Sequence, residues 1–113
     1  MLSPEFSGRW RITAMDLWDQ DAVDLVGPGT VELRVDGTGT MHFIAVEAWL
    51  DHRPADRDGR SAIEFSRAGD DEGTAVSGRG WIALAGTDEI VGHIWFHMGD
   101  DSGFSAARLS PSR

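Results

Sequence analysis

The stretch TVELRVDGTGTMHFIAVEAWL, residues 30–50, decides the fold class. In its first part apolar residues alternate with Glu32 and Arg34, which is the two-residue period of a strand with one buried face and one wet face. The Asp-Gly pair at 36–37 opens a hairpin turn, and a run from 40 to 50 rich in apolar and aromatic residues follows. The stretch therefore predicts two antiparallel strands joined by a tight turn.

The second of these strands, residues 40–50, is apolar on both faces. A strand of this kind is usually covered twice, once by the core and once by another element or subunit. The short helix predicted below or a second copy of the chain could supply the outer cover, and we expect a homodimer. The two apolar faces are Phe43, Ala45 and Trp49 on one side and Ile44, Val46 and Leu50 on the other.

The rest of the chain has the same character, because its 14 glycines fall mostly between short runs of Val, Ile, Phe, Trp and Thr. We predict one all-β domain over residues 1–113, an antiparallel meander of about seven to eight strands curled into a small barrel. One short helix is expected after the first strand, with Asp19 as N-cap, Leu25 and Val26 as its apolar face and Gly27-Pro28 as its end. The remaining predicted strands cover about 10–18, 62–66, 80–85, 89–98 and 103–109; the charged segment 51–60 is predicted as a loop, and 68–73, 77–80 and 99–103 as turns.

The acidic composition excludes several partners. With 19 Asp and Glu against 10 Lys and Arg, the formal charge of -9 would repel a phosphate backbone, so we expect no nucleic acid. The chain has no long apolar run and no signal-peptide pattern, which predicts a cytoplasmic protein without a membrane partner. It has no cysteine, so a metal could be held only by His, Asp and Glu.

The stretch HIWFHMGDDSGF, residues 93–104, places two histidines four residues apart. On a helix His93 and His97 could share a metal. On a strand they would lie about 13 Å apart, which is too far for easy joint ligation. Gly92 and the surrounding β-type residues favour the strand, so we assign no metal site. The acidic turns GDDSG and AGDDEG are predicted as solvated turns, with a hard-cation site as the alternative.

Two acids share a strand face with tryptophan. If both strands are regular, Asp16 lies beside Trp18 and Glu47 beside Trp49 on the barrel interior. Burying a carboxylate costs free energy unless another group pairs with it. It could pair with Arg67, Arg79 or Arg108, it could bind a ligand in a cavity, or it could act in acid–base catalysis. The ligand-binding hypothesis names Asp16, Trp18, Glu47 and Trp49, with His97, Asp100 and Asp101 at the rim.

Two resemblances add to this interpretation. FSGRWRI, with Gly8 and Trp10, resembles the Gly-x-Trp opening of lipocalin-like (calycin) barrels. That resemblance implies that Trp10 closes one barrel end beneath a cation from the last strand, here Arg108. GRWRITAMDLWDQDAVDLVGPG, FIAVEAWLD, IEFSRAGDDE, GRGW and HMGDDSGF together resemble a family of small uncharacterised bacterial proteins over nearly the whole chain. This second resemblance implies a bacterial single-domain protein and identifies no catalytic residue.

Composition and motifs thus predict a small binding or interaction module, with a small-molecule pocket as one form of it. One alternative is a homodimeric protein-interaction protein with an acidic surface. The other is an enzyme that depends on a metal or on a carboxylate pair. We assign no catalytic residue and no cofactor, because no nucleophile motif or phosphate loop is present in the sequence.

Overall fold

The structure, a computed structural model, describes residues 5–109. Within that range the chain forms eight strands and one short helix. They are β1 (Gly8–Met15), α1 (Gln20–Val23), β2 (Thr30–Leu33), β3 (Thr38–Phe43), β4 (Val46–Arg57), β5 (Arg60–Asp71), β6 (Thr74–Leu84), β7 (Glu89–Phe96) and β8 (Asp101–Arg108).

The strands close into one antiparallel barrel in chain order. Every strand pairs with the next one along the chain, and β8 returns to pair with β1, where Trp10 lies opposite Arg108. This confirms the predicted all-β meander barrel and the strand at residues 93–96. Closure leaves no sheet edge along the paired lengths, because each strand finds a partner on both sides.

The predicted strand at residues 40–50 is in fact two strands. A tight turn at Ile44 and Ala45 separates β3 from β4, and Ile44 adopts a positive φ of 56° there. The turn reverses the chain, so Phe43 and Val46 lie opposite each other with both side chains buried. The prediction of one strand with two apolar faces was therefore wrong, since the hairpin places apolar residues of both strands on the same inner side.

The charged segment 51–60 is not a loop, as predicted, but the tip of the β4–β5 hairpin, with its turn at Asp58 and Gly59. Beyond Asp51 the register of β4 with β3 ends, so one edge of the strand carries no ladder in the described chain. Pro54 fits there because it has no N–H to donate. The predicted turns at 68–73 and 77–80 lie largely in β5 and β6 as well.

Helix α1 is shorter than expected. Asp19 is its N-cap, as predicted, and its carboxylate accepts a hydrogen bond from the Ala22 N–H at 2.9 Å. The helix ends at Val23, which is fully buried, and not at Gly27. Leu25 and Val26 are exposed, so they do not form the apolar face that the sequence predicted.

The barrel interior is filled by side chains, and it includes Trp10, Ile12, Phe43, Phe65 and Phe104 among its largest members. Inward glycines make this packing fit: a Cβ on Gly92 would lie 2.7 Å from the Phe104 ring, and one on Gly80 would lie 2.6 Å from the Phe65 ring. Residues 5–109 contain no helix with the length and apolarity that a membrane crossing needs.

Candidate functional site

The two acids predicted to face the interior lie on the outer surface. In β1 the register with β8 shifts between Ile12 and Ala14, which is a β-bulge. A bulge inserts one residue into the alternation, so Met15 turns inward and Asp16 turns outward. The interior position of Asp16 was therefore wrong, because one extra residue exchanges the two faces.

Glu47 and Trp49 are outward for a related reason. The turn before β4 sets Val46, Ala48 and Leu50 inward, so the intervening side chains point to solvent. Trp49 is 59% exposed, and the Glu47 carboxylate lies 3.3 Å from His42 Nε2 on the outer face of the neighbouring strand. The structure therefore contains no carboxylate–tryptophan pair inside the described barrel, and the predicted interior pocket between these residues is not formed.

Trp18 alone among the predicted ligand residues packs against the core. It is half-buried at the end of the barrel where β3 and β7 finish. Its ring centroid lies 5.7 Å from that of Phe43 and 6.3 Å from that of Phe96. The three rings form an aromatic lid over this end of the core.

The predicted rim of His97, Asp100 and Asp101 is split by the start of β8. Asp101 is on β8 and accepts a hydrogen bond from His93 Nε2 at 2.6 Å, while His97 and Asp100 are exposed in the β7–β8 turn. The His93 ring also packs on Trp95, with centroids 4.5 Å apart. In residues 5–109 no three His, Asp or Glu side chains are grouped so that they could hold a metal ion.

At the opposite end of the barrel, Arg108 covers Trp10. The guanidinium carbon lies 4.2 Å from the indole centroid, and the indole N–H donates to the Phe6 carbonyl at 3.0 Å. Arg108 also donates to the carbonyls of Ser7 and Glu5 at 2.9 and 2.7 Å. The arginine thus ties the segment before β1 to the last strand.

Arg67 is the charged side chain that the barrel buries most deeply, at 3% exposure. It lies on β5 in line with Ile63 and Phe65, so strand alternation directs it inward. Burial lowers the pKa of its guanidinium to about 10. Because that value is still well above neutral pH, the barrel interior carries a positive charge.

Three tryptophans point outward from the barrel wall, one each on β4, β6 and β7. Trp81 of β6 and Trp95 of β7 line a cleft of about 470 Å³ on the outside of β4–β7. Trp49 of β4 is exposed but does not line this cleft. Arg57 stacks over the Trp81 ring at 4.0 Å, and Arg79 lies 5.8 Å from the Trp95 centroid. We call Trp81, Trp95, Arg57 and Arg79 the tryptophan face.

No protein-family model, curated protein or solved structure matches this chain. The two resemblances drawn from sequence motifs therefore stay predictions.

The sequence analysis predicted neither the burial of Arg67 nor the tryptophan face, although each leaves a signal in the sequence. In IEFSR the apolar Ile63 and Phe65 alternate with polar residues, and Arg67 continues the apolar series. The tryptophan face has a weaker signal, because Trp81 and Trp95 are 14 residues apart and meet only through the β6–β7 register.

Proposed function

We propose that this protein is an interaction module that binds a protein partner through the tryptophan face. One observation carries the proposal: two outward tryptophans on adjacent strands border a single cleft, each with an arginine over its ring. Tryptophan and arginine are the residue types that contribute most to protein–protein binding energy, and they do so where they cluster at the centre of an interface.

The shape of the wall supports a binding role. Two outer positions of β5 are small: Ser66 lies opposite Arg79, and Ala68 lies opposite Trp49. The outer position opposite Trp81 is Glu64. Larger side chains stand on both sides of this low floor. A segment of a partner could therefore lie along β5 and bury the exposed indole surface, which favours binding by the hydrophobic effect.

The charge of the face differs from that of the whole chain. The cleft contains Arg53, Arg57 and Arg79 against Asp51 and Glu64, whereas the chain as a whole is strongly acidic. Arg57 stacks on Trp81 and Arg79 lies beside Trp95, so each indole has a cation next to it. A partner segment with carboxylates beside an apolar anchor suits this surface best.

The test compares capture of binding proteins from the host by the wild-type protein and by a Trp81→Ser, Trp95→Ser double variant. We expect the wild type to retain a partner and the double variant to bind it at least about 30-fold more weakly, since one hot-spot anchor contributes about 2 kcal/mol or more. The matched control is Leu25→Ser, Val26→Ser, which removes two exposed apolar residues elsewhere on the surface and should retain the partner.

Two further measurements make the result specific. Reversing the charges with Arg57→Glu and Arg79→Glu keeps both indoles and should also weaken the complex. Mass measured at rising protein concentration shows whether the partner is a second copy of the chain. Equal retention of the partner by the wild type, the double tryptophan variant and the charge-reversed variant would contradict the proposal.

A further inference from the structure

The guanidinium of Arg67 is a buried cation that forms no ion pair with a carboxylate of the described residues. Its Nε and Nη1 are buried and have no hydrogen-bond partner among residues 5–109. Its Nη2 donates to the Trp95 carbonyl at 3.5 Å, which is longer than the usual range of such a bond. The described chain thus leaves most of the donors of this cation unused, although a buried charge is costly without a partner.

The aromatic ring beside Arg67 compensates only part of this cost. The guanidinium carbon lies 4.3 Å from the centroid of Phe96. The face of a phenyl ring attracts a cation, but it accepts no in-plane N–H bond of the kind that a carboxylate accepts. The unused donors lie in the guanidinium plane, so Phe96 leaves them available.

A cavity of about 590 Å³ reaches this cation. Its wall includes Arg67 and Phe96. The rest of its lining is Ser66, Ser77, Gly78, Arg79, Trp95, His97 and Met98. The volume is in the range that holds a small organic molecule. The β7–β8 turn, residues 97–100, is exposed at the edge of the cavity. The Nε and Nη1 atoms of Arg67 are shielded from solvent, so a ligand must displace side chains of the cavity wall to reach them.

We infer that this cavity binds a small organic carboxylate, with the Arg67 guanidinium as its counter-ion and the Phe96 ring against its apolar body. A guanidinium can hold a carboxylate by two parallel bonds along either of two edges. One edge is Nε with Nη2, and the other is Nη1 with Nη2. In Arg67 Nε and Nη1 have no partner among the described residues, and Nη2 is held only by the long bond to Trp95. Either edge therefore has unused donors for a carboxylate.

The charge balance favours a carboxylate over a phosphate ester. One carboxylate neutralises the one buried cation, whereas a phosphate monoester carries about -1.5 to -2 at neutral pH and would leave negative charge in the apolar interior. A neutral ligand would leave the cation unpaired. The cavity shares Arg79 and Trp95 with the tryptophan face. Its cation, Arg67, is not part of that face, so neither proposal depends on the other.

The test titrates the full-length protein with acetate, hexanoate and benzoate, and with the uncharged amide of each acid, by calorimetry and thermal unfolding. At ligand concentrations about tenfold above a millimolar Kd, a bound carboxylate should raise the thermal midpoint, and its amide should not. Replacing the cation by Arg67→Met should reduce carboxylate affinity about 10- to 100-fold, as expected for a charged hydrogen-bonding anchor.

Two controls separate binding at Arg67 from a general charge effect. Arg60→Gln removes an exposed arginine that does not line the cavity and should change carboxylate affinity less than threefold. Without ligand, Arg67→Met should unfold at a higher urea concentration than wild type, because an apolar side chain of similar length replaces an unpaired charge.

Several outcomes would overturn the inference. They are tighter binding of inorganic phosphate than of any carboxylate, equal binding of the amides, unchanged carboxylate affinity in Arg67→Met, and no binding of any of the three acids. Lower stability of ligand-free Arg67→Met would show that the cation is already compensated and would equally count against the site.

Discussion

Single charged residues attach the connections of this barrel to its wall. Asp24, which follows α1, accepts hydrogen bonds from Arg11 on β1 at 2.6 and 2.7 Å and from the Gly29 N–H at 2.8 Å. Gln20 also donates to it. One carboxylate thus joins the first strand, the helix and the segment that leads into β2.

We expect this carboxylate to make stability depend on pH. The hydrogen bond from Arg11, followed by that from Gly29, holds the pKa of Asp24 well below its usual range. A lowered folded-state pKa contributes stability that is complete above the unfolded-state value of about 4 and is lost as pH falls below it. Urea midpoints measured between about pH 2 and pH 6 should fall less steeply on acidification in Asp24→Asn than in wild type. Asp56→Asn, at an exposed position, should keep the wild-type slope; identical slopes in all three proteins would contradict the assignment.

Arg108 is expected to stabilise the end of the barrel beside Trp10. Arg108→Met should lower the free energy of unfolding by about 1–3 kcal/mol, because it removes two hydrogen bonds to carbonyls before β1 and the contact over Trp10. Chemical denaturation measures the change. Arg9→Met, an exposed change on β1, should stay within about 0.5 kcal/mol of wild type. An Arg108 variant as stable as the Arg9 variant would show that closure of this end does not depend on the arginine.

Among the elements, the two long hairpins of the barrel use the same tight turn. Both central residues have a positive φ in each case: Asp58 and Gly59 between β4 and β5, and Glu72 and Gly73 between β5 and β6. This is the signature of a type I′ turn, which matches strand twist and favours Asn or Asp followed by Gly. Glu72 is therefore in a conformation that its residue type tolerates poorly.

We predict that Glu72→Asn stabilises the protein by about 0.5–1 kcal/mol, since Asn adopts the left-handed conformation more readily than Glu. Asp58→Asn is the matched control and should change stability little, because Asp already suits its turn. Gly73→Ala should destabilise by about 1–2 kcal/mol although its Cβ would meet open space, so the cost is conformational. Urea unfolding of the three variants tests this, and a neutral or destabilising Glu72→Asn would be evidence against the turn type.

For the whole molecule, acidic charge opposes folding. The formal charge of -9 sits on a barrel with a radius of gyration of 13.0 Å, so most acids lie within a few Debye lengths of one another at low salt. We expect the urea midpoint to rise as NaCl increases from about 0.01 to 0.2 M, since screening weakens self-repulsion more than it weakens the few exposed ion pairs.

A charge variant makes this prediction specific. Asp70→Lys together with Glu89→Lys changes two exposed outer positions and reduces the net negative charge. Its urea midpoint should depend less on NaCl than that of wild type. A midpoint that falls as salt is added, or a steeper dependence in the variant, would show that attractive pairs dominate the surface.

Several features could be predicted from residue order alone, because they depend on neighbours in the chain. Alternation in residues 30–35 predicts β2, Asp19 predicts the N-cap of α1, and the β-type residues around Gly92 predict a strand where two histidines could suggest a helix. Local periodicity and turn chemistry are properties of a few consecutive residues, and for this chain they were enough to specify an all-β meander barrel.

The face on which each functional side chain lies was decided only by the tertiary structure. The bulge before Ala14 and the turn at Ile44 each shift the alternation by one position, which moves Asp16 and Trp49 from the predicted interior to the surface. A strand has a period of two residues, so one misplaced residue exchanges its faces. The tryptophan face and the unpaired charge of Arg67 arise from cross-strand register and burial, which depend on residues distant in the sequence.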